Sequence, residues 1–324
     1  MEKGLVLGKF LPLHKGHLAL IEFAKQHCEH LIILLCVNNS EPIDGHIRLK
    51  WLKETFKNDA QIEIQYAETD LPATSESSRS VSEIWSAYLK ERFPDISIIF
   101  TSEKYGDYVA EYMNIKHKMF DNERMEIPIS ATLIREKSLK YWGFIPPSVQ
   151  PYFVKKIALY GAESTGKSTL SEQLALHFKT AFVPEMARFI VAETENCTYN
   201  DMFKIAEAHA HEINKQVQIA DKILICDTDL LVTKVYSDYL FNEKPIFEDW
   251  IEKANNVDFY LFLQPDIPHF QDGTRLGEQG RSDVHPYFEK ALKESNKKYT
   301  IISGSGEERF LNCIYAIKKY VLND

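Results

Sequence analysis

The stretch Gly161-Ala162-Glu163-Ser164-Thr165-Gly166-Lys167-Ser168-Thr169 constrains this chain more than any other. It fills every fixed position of the pattern G-x-x-x-x-G-K-[ST]. Such a loop works only between a strand and a helix, and its flanks comply. Ile157-Ala158-Leu159-Tyr160 reads as a buried strand entering it, and Leu170 to Phe178 is apolar at helical spacing. In that setting backbone N–H groups curl around phosphate oxygens, and the helix N-terminus adds positive potential. Gly161, Glu163, Ser164, Thr165, Gly166 and Thr169 then form the cradle. Lys167 reaches the β- and γ-phosphates, and the Ser168 hydroxyl suits Mg²⁺. ATP with Mg²⁺ is the expected ligand. Such a loop normally follows the first strand of its domain, so the residues before it must build something else.

Length allows for that. At 324 residues the chain can hold two domains, each with a core. Its net charge of −9 argues against a general nucleic-acid binder, because phosphate backbones need a basic surface. Cys28, Cys36, Cys197, Cys226 and Cys313 are scattered without a C-x-x-C pair, which suggests a reducing compartment and no zinc site. No leader precedes the first strand and no apolar run has the length of a membrane span. A cytoplasmic protein without membrane partners is expected; a homo-oligomer is compatible with the sequence, which leaves assembly open.

The first half alternates strands with helices. Gly4 to Gly8, Leu31 to Val37, Ile62 to Ile64 and Ile96 to Phe100 read as strands. Helices are expected around Leu18–Ala24, Arg48–Leu52 and Val81–Phe93. Alternation of this kind implies a parallel sheet with helices on both faces, whose ligands sit beyond the carboxyl ends of the strands. Lys9 to His17 lies there, directly after the first strand. Gly16 permits close backbone approach, His17 is expected to open a helix, and imidazoles at a strand end can donate to phosphate oxygens. A pair of incidental histidines accounts for H-x-G-H about as well. In a second segment, Ile129 to Arg135, Ser130 suits an N-cap. The hydroxyls of Ser130 and Thr132 and the Arg135 guanidinium would then form a phosphate clamp. A capped surface helix with a solvated arginine is the plainer alternative.

Taken together, the two segments resemble the nucleotidyltransferase superfamily marked by G-x-F-x-P-x-H-x-G-H and I-S-x-T-x-x-R. Gly8, Phe10, Pro12, His14, Gly16 and His17, then Ile129, Ser130, Thr132 and Arg135, fill every fixed position. The resemblance implies transfer of AMP or CMP to a phosphate-bearing acceptor with release of pyrophosphate. His14, His17, Ser130, Thr132 and Arg135 would grip the nucleotide phosphates. An anionic acceptor needs no strong base, so positioning and charge stabilisation carry the rate.

Pro146, Pro147 and Pro151 interrupt any helix, and the boundary falls near residue 150, giving domains 1–150 and 151–324. Beyond the glycine loop, Ala181 to Val183 reads as a strand with Glu185 at its end. Glu185 either accepts the proton of an attacking hydroxyl or simply favours a helix N-terminus. Ile223 to Cys226 is a buried strand running into Asp227-Thr228-Asp229. One carboxylate there would hold Mg²⁺ and the other would cap the helix Leu230 to Tyr239. From Pro265 to Asp283 the chain is polar and glycine-bearing; Arg275 and Arg281 suit a lid over a transferring phosphoryl group, as does a plain loop. A helix from Pro286 to Ser295, a strand from Tyr299 to Ile302 and a helix from Glu307 to Leu322 complete the unit. Ser303 to Gly306 either borders an adenine pocket or is a turn.

The expected fold class is α/β: two doubly wound parallel-sheet domains, a Rossmann-like nucleotidyltransferase domain followed by a P-loop kinase domain. The pairing resembles the NadR-type proteins, in which nicotinamide mononucleotide (NMN) adenylyltransferase is joined to ribosylnicotinamide kinase. Glu185-x-Ala187-Arg188, Asp227-Thr228-Asp229 and Asp266-Ile267-Pro268 leading to Asp272-Gly273-x-Arg275 follow in the family's order. His269-Phe270 stands where many relatives carry Trp. The first strand begins by Gly4, so the DNA-binding helix-turn-helix of some relatives, and its regulatory role, are not expected here. The resemblance implies phosphorylation of nicotinamide riboside by the second domain, with Lys167, Ser168, Asp227 and the lid arginines stabilising transfer. The first domain would then join NMN to AMP. Trp85 is one candidate platform for the nicotinamide ring, although a core tryptophan explains it more simply. A nucleotide sensor, and a transferase–kinase pair of coenzyme A or flavin metabolism, are the competing readings.

Overall fold

Residues 2–72, 77–191, 196–269 and 277–322 are described by the structure, a computed structural model. The chain folds as two compact units, Met1–Gln150 and Pro151–Asp324.

In the first unit the strands are β1 (Lys3–Gly8), β2 (His30–Val37), β3 (Ile62–Glu68), β4 (Ile98–Thr101) and β5 (Lys116–Met119). They alternate with α1 (Lys15–Lys25), α2 (Gly45–Thr55), α3 (Arg79–Arg92) and α4 (Tyr105–Met113), and α5 (Ala131–Glu136) follows. The sheet is parallel, in the order β3-β2-β1-β4-β5. After β3 the chain returns to the other side of β1, so the crevice at the strand ends opens between β1 and β4. β2 is buried along nearly its whole length, the pattern of a strand covered on both faces. Leu5, Leu34, Leu89, Ile99 and Val109 anchor the core between the sheet and α3 and α4. The α4–β5 pair is absent from the sequence expectations. The short β5, Lys-His-Lys-Met, is mostly exposed and carries no apolar alternation to mark it.

After α6 (Gln150–Phe153), the second unit contains β6 (Lys155–Tyr160), β7 (Phe182–Val183), β8 (Ile223–Asp227), β9 (Phe259–Leu263) and β10 (Tyr299–Ile302). Its helices are α7 (Lys167–Phe178), α8 (Ala187–Ile190), α9 (Tyr199–Gln216), α10 (Leu230–Phe241), α11 (Asp249–Ala254), α12 (Gly277–Glu294) and α13 (Gly306–Ile317). The sheet is again parallel, in the order β10-β9-β6-β8-β7. Three central strands are almost wholly buried, and Leu159, Leu174, Ile225, Leu261 and Ile317 lie at the core. α12 departs from expectation. The sequence places Arg281 in a polar lid loop and starts the helix at Pro286; the structure starts the helix at Gly277 and carries Pro286 inside it. Val284, Phe288 and Leu292, one turn apart and fully buried, hold that helix despite the proline. Arg275 lies outside the described residues. Among the described residues no helix is long and apolar enough to cross a membrane.

Candidate functional sites

The first unit has a cavity of about 450 Å³ at the end of β1. Gly8, Phe10, His14, Gly16, His17, Ser130 and Thr132 line it, so two segments more than a hundred residues apart in sequence meet there. The histidines play a part that the sequence reading missed. α1 opens at Lys15 rather than at His17, and His14 is its N-cap. The Gly16 amide donates to His14 Nδ1 at 3.1 Å and the His17 amide at 3.4 Å; the His14 amide donates to His17 Nδ1 at 3.3 Å. Both Nδ1 atoms therefore accept, which places each neutral ring's proton on Nε2. The rings stack with centroids 3.7 Å apart. A Cβ on Gly16 would come within 2.9 Å of the His14 ring, so the glycine is what allows this cap.

Burial lowers the His14 pKa to about 4, with the Arg124 charge adding to the effect. Burial, then His14 and Arg124, hold His17 well below its ordinary value. The pair is therefore a set of neutral donors. Phe10 adopts φ 45° and its ring lies edge-on to His17 at 5.0 Å. That left-handed backbone is unfavourable for phenylalanine, and burial of the ring offsets it.

Ser130 is the N-cap of α5 and accepts from the Leu133 amide. The Arg135 guanidinium donates to Thr132 Oγ1 at 3.1 Å and to the Leu11 carbonyl. In this structure it fastens the helix to the histidine loop, where the sequence reading has it facing phosphate. The same loop is held from another side. Fully buried Arg48 donates to Lys9 O at 2.9 Å and pairs with Glu41 at 2.8 Å. Arg124, which lines the cavity, is also missing from the sequence reading. It has φ 54° on a loop clamped by the Asp121 carboxylate, which accepts from the Met125, Glu126 and Ile127 amides. Trp85 lines the cavity too, packs against the core and donates its indole N–H to Pro72 O.

The second unit has a cavity of about 840 Å³ over the glycine loop. Glu163, Ser164, Gly166, Lys167, Ser168 and Thr169 line one wall. Gly161 has φ 137° and a Cβ there would lie 2.8 Å from Leu263 O, so this position admits only glycine without displacement. Thr165 donates from Oγ1 to Ala162 O, bracing the loop from within. Lys167 Nζ is folded back onto Gly161 O and Ala162 O, at 2.9 and 2.8 Å. Burial lowers its pKa, while Glu185, Asp227 and Glu163 act in the opposite direction.

Asp227 and Asp229 separate cleanly. Asp229 caps α10, accepting from the Val232 amide at 3.2 Å and from the Tyr260 hydroxyl at 2.5 Å. Asp227 ends β8 beside the Ser168 hydroxyl, with its Oδ1 buried and without a hydrogen-bond partner. Burial, then Glu185, raises its pKa to about 6, against Lys167 and the Ser168 hydrogen bond. An orphaned carboxylate oxygen beside a loop serine is the donor set that Mg²⁺ takes, so these residues fit the ion. Thr228 between the two aspartates has φ 81°, a strained conformation for a β-branched residue.

Glu185 lines the same cavity and receives Arg188 Nε at 2.7 Å. The far end is apolar and aromatic, with Met202, Ile205, Val232, Tyr236 and Leu240. Met202 and Ile205 come from α9, a helix absent from the sequence expectations. Arg281 donates to Ile267 O at 2.9 Å from within α12.

The comparisons with known proteins agree with this division. Residues 5–137 match the cytidylyltransferase-like family and residues 156–309 the AAA domain family. The trifunctional NAD biosynthesis/regulator protein NadR of Salmonella typhimurium (strain LT2) is 31% identical over 98% of this chain and 82% of its own length. The chain belongs to the NadR family. A nicotinamide-nucleotide adenylyltransferase of Thermococcus onnurineus is 27% identical over 48% of the chain and 83% of its own length. The crystal structure of a NadR protein in complex with NR has a TM-score of 0.79 at 23% identity and covers 98% of this chain and 96% of that one. The NadR fold thus extends over both units.

Proposed function

We propose that this chain makes NAD from nicotinamide riboside in two ATP-dependent steps, one at each cavity. The observation that carries the reading is the presence, in one NadR-family chain, of a histidine-lined cavity and a glycine-loop cavity on separate units. The second unit phosphorylates the riboside 5′-hydroxyl. The apolar end formed by Met202, Ile205, Val232 and Tyr236 receives the nucleoside, and the glycine loop holds ATP. Glu185 accepts the hydroxyl proton as the oxygen attacks the γ-phosphorus, and Arg188 orients that carboxylate. Lys167 leaves its two loop carbonyls to meet the phosphate oxygens. Ser168 and Asp227 would hold Mg²⁺, which would supply neutralisation of phosphate charge.

The first unit joins NMN to AMP. A phosphate oxygen of NMN attacks the α-phosphorus of ATP and pyrophosphate leaves. His14 and His17 donate from Nε2 to the phosphate oxygens, as neutral groups whose protons are already in place. Ser130, Thr132 and Arg124 complete the polar lining, with Arg135 and Arg48 keeping the histidine loop in place. Trp85 offers an aromatic face to the pyridine ring. The test is chromatography of the purified chain with nicotinamide riboside, ATP and Mg²⁺. NAD should accumulate through NMN. Absence of both products would refute the proposal, and NMN alone would leave only its kinase half.

A further inference from the structure

Arg309 belongs to neither sequence motif, yet it is 2% exposed and joins four segments of the second unit. From α13 its Nε donates to Gly304 O at 2.6 Å, Nη1 to Thr165 O at 2.7 Å and Nη2 to Gln264 O at 3.1 Å. Nη2 also pairs with Asp266, whose second oxygen accepts from the Gly304 amide at 2.9 Å. One side chain thus ties the glycine loop to the end of β9 and to the turn before α13. Arg281 grips Ile267 O, and Ile267 and Pro268 line the cavity.

The bond to Thr165 O has a directional consequence. The Thr165–Gly166 peptide is trans and planar, so its C=O and N–H point in opposite directions. With the carbonyl fixed on Arg309 behind the loop, the Gly166 N–H is aimed away from α13. Gly166 itself lines the cavity. A cationic donor on the carbonyl also polarises the amide and makes its N–H a stronger donor.

We propose that Arg309 is a positioning residue for nucleotide binding: it aims and polarises the Gly166 amide and sets the glycine loop against the Gln264–Pro268 wall. The proposal rests on the kinase reading of this cavity. A residue that only stiffened the fold would change the melting temperature and leave ATP affinity alone. Arg309→Lys keeps a positive charge but cannot reach three carbonyls in separate directions.

The test uses the full-length chain and ATP·Mg²⁺ in two measurements. Calorimetric titration of Arg309→Lys should give ATP binding at the second unit weakened about tenfold or more. Lys167→Ala in the same titration identifies that site's contribution. Kinase assays should show a raised KM for ATP with the KM for riboside little changed, and adenylyl transfer in the same sample should equal wild type. Unaltered ATP affinity in a folded Arg309→Lys chain overturns the inference. If that variant lacks a cooperative melt, Asp266→Asn decides, since it leaves Arg309 in place without the carboxylate that orients it. Weakened ATP binding then supports the inference and wild-type binding overturns it. A wild-type chain that binds ATP but leaves riboside unphosphorylated would defeat the kinase reading, while the titrations would still judge Arg309.

Discussion

At the scale of single residues, His14 joins an observed capping role to a proposed chemical one in the same ring. Its Nδ1 caps α1, which fixes the tautomer and leaves Nε2–H for the phosphate contact proposed above. The cost of that arrangement is pH-dependent. The folded pKa is about 4, against about 6.5 in an unfolded chain. The stability gained by keeping the ring neutral is complete above about pH 6.5 and is lost as pH falls through about 4. Between pH 7 and 5 the unfolded chain takes up a proton that folded His14 refuses, so the first unit loses about 2 kcal/mol from this group. His14→Asn keeps a capping oxygen but has no such titration. Urea unfolding at pH 7 and 5 should show wild type losing about 2 kcal/mol more than His14→Asn. Trp51, Trp85 and Trp142 report the first unit. Equal losses in the two proteins would rule the account out. H-x-G-H could be read from sequence because spacing alone displays it. The direction of the rings could not, because two backbone amides set it. Arg48, Arg124 and Arg309 were hidden for a related reason. Each acts on groups far along the chain, Arg48 and Arg309 on carbonyls and Arg124 through its charge on His14 and His17, and such distant partners leave no periodic signal.

At the scale of elements, the glycine loop is defined as much by what lies behind it as by its motif. Gly161 sits against Leu263 O of β9, at a φ that only glycine adopts without strain. Gly161→Ala must therefore move the loop off β9 or twist its first peptide. Riboside phosphorylation should fall at least about a hundredfold and the second unit should lose about 1–3 kcal/mol. Adenylyl transfer from supplied NMN, measured on the same preparation, should persist. A fully active kinase in this variant would contradict the assigned loop geometry. Strand–helix alternation was legible because buried parallel strands such as those of Ile223 to Cys226 and Phe259–Leu263 are continuous apolar runs. The beginning of α12 was not. Gly273, Gly277, Gly280 and Pro286 read locally as breakers, whereas the helix is decided by Val284, Phe288 and Leu292 packing into the core.

At the scale of the whole molecule, each unit has its own parallel sheet, core and cavity. The product of one proposed reaction is the substrate of the other, and NMN is a small, polar, water-soluble molecule. Lys167→Ala should abolish riboside phosphorylation yet still make NAD from supplied NMN. His17→Ala should phosphorylate the riboside and stop at NMN. Neither variant alone then converts riboside to NAD. Mixed in solution, they should do so, with a lag that shortens as protein concentration rises, because NMN made on one molecule must reach another. Chromatographic time courses at several concentrations measure that lag. NAD formation by either variant alone from riboside would break the assignment of one step to each cavity. Failure of the mixture, with each variant active in its remaining step, would mean that NMN does not pass through bulk water. The two units would then have to be treated as one device rather than as two enzymes sharing a chain.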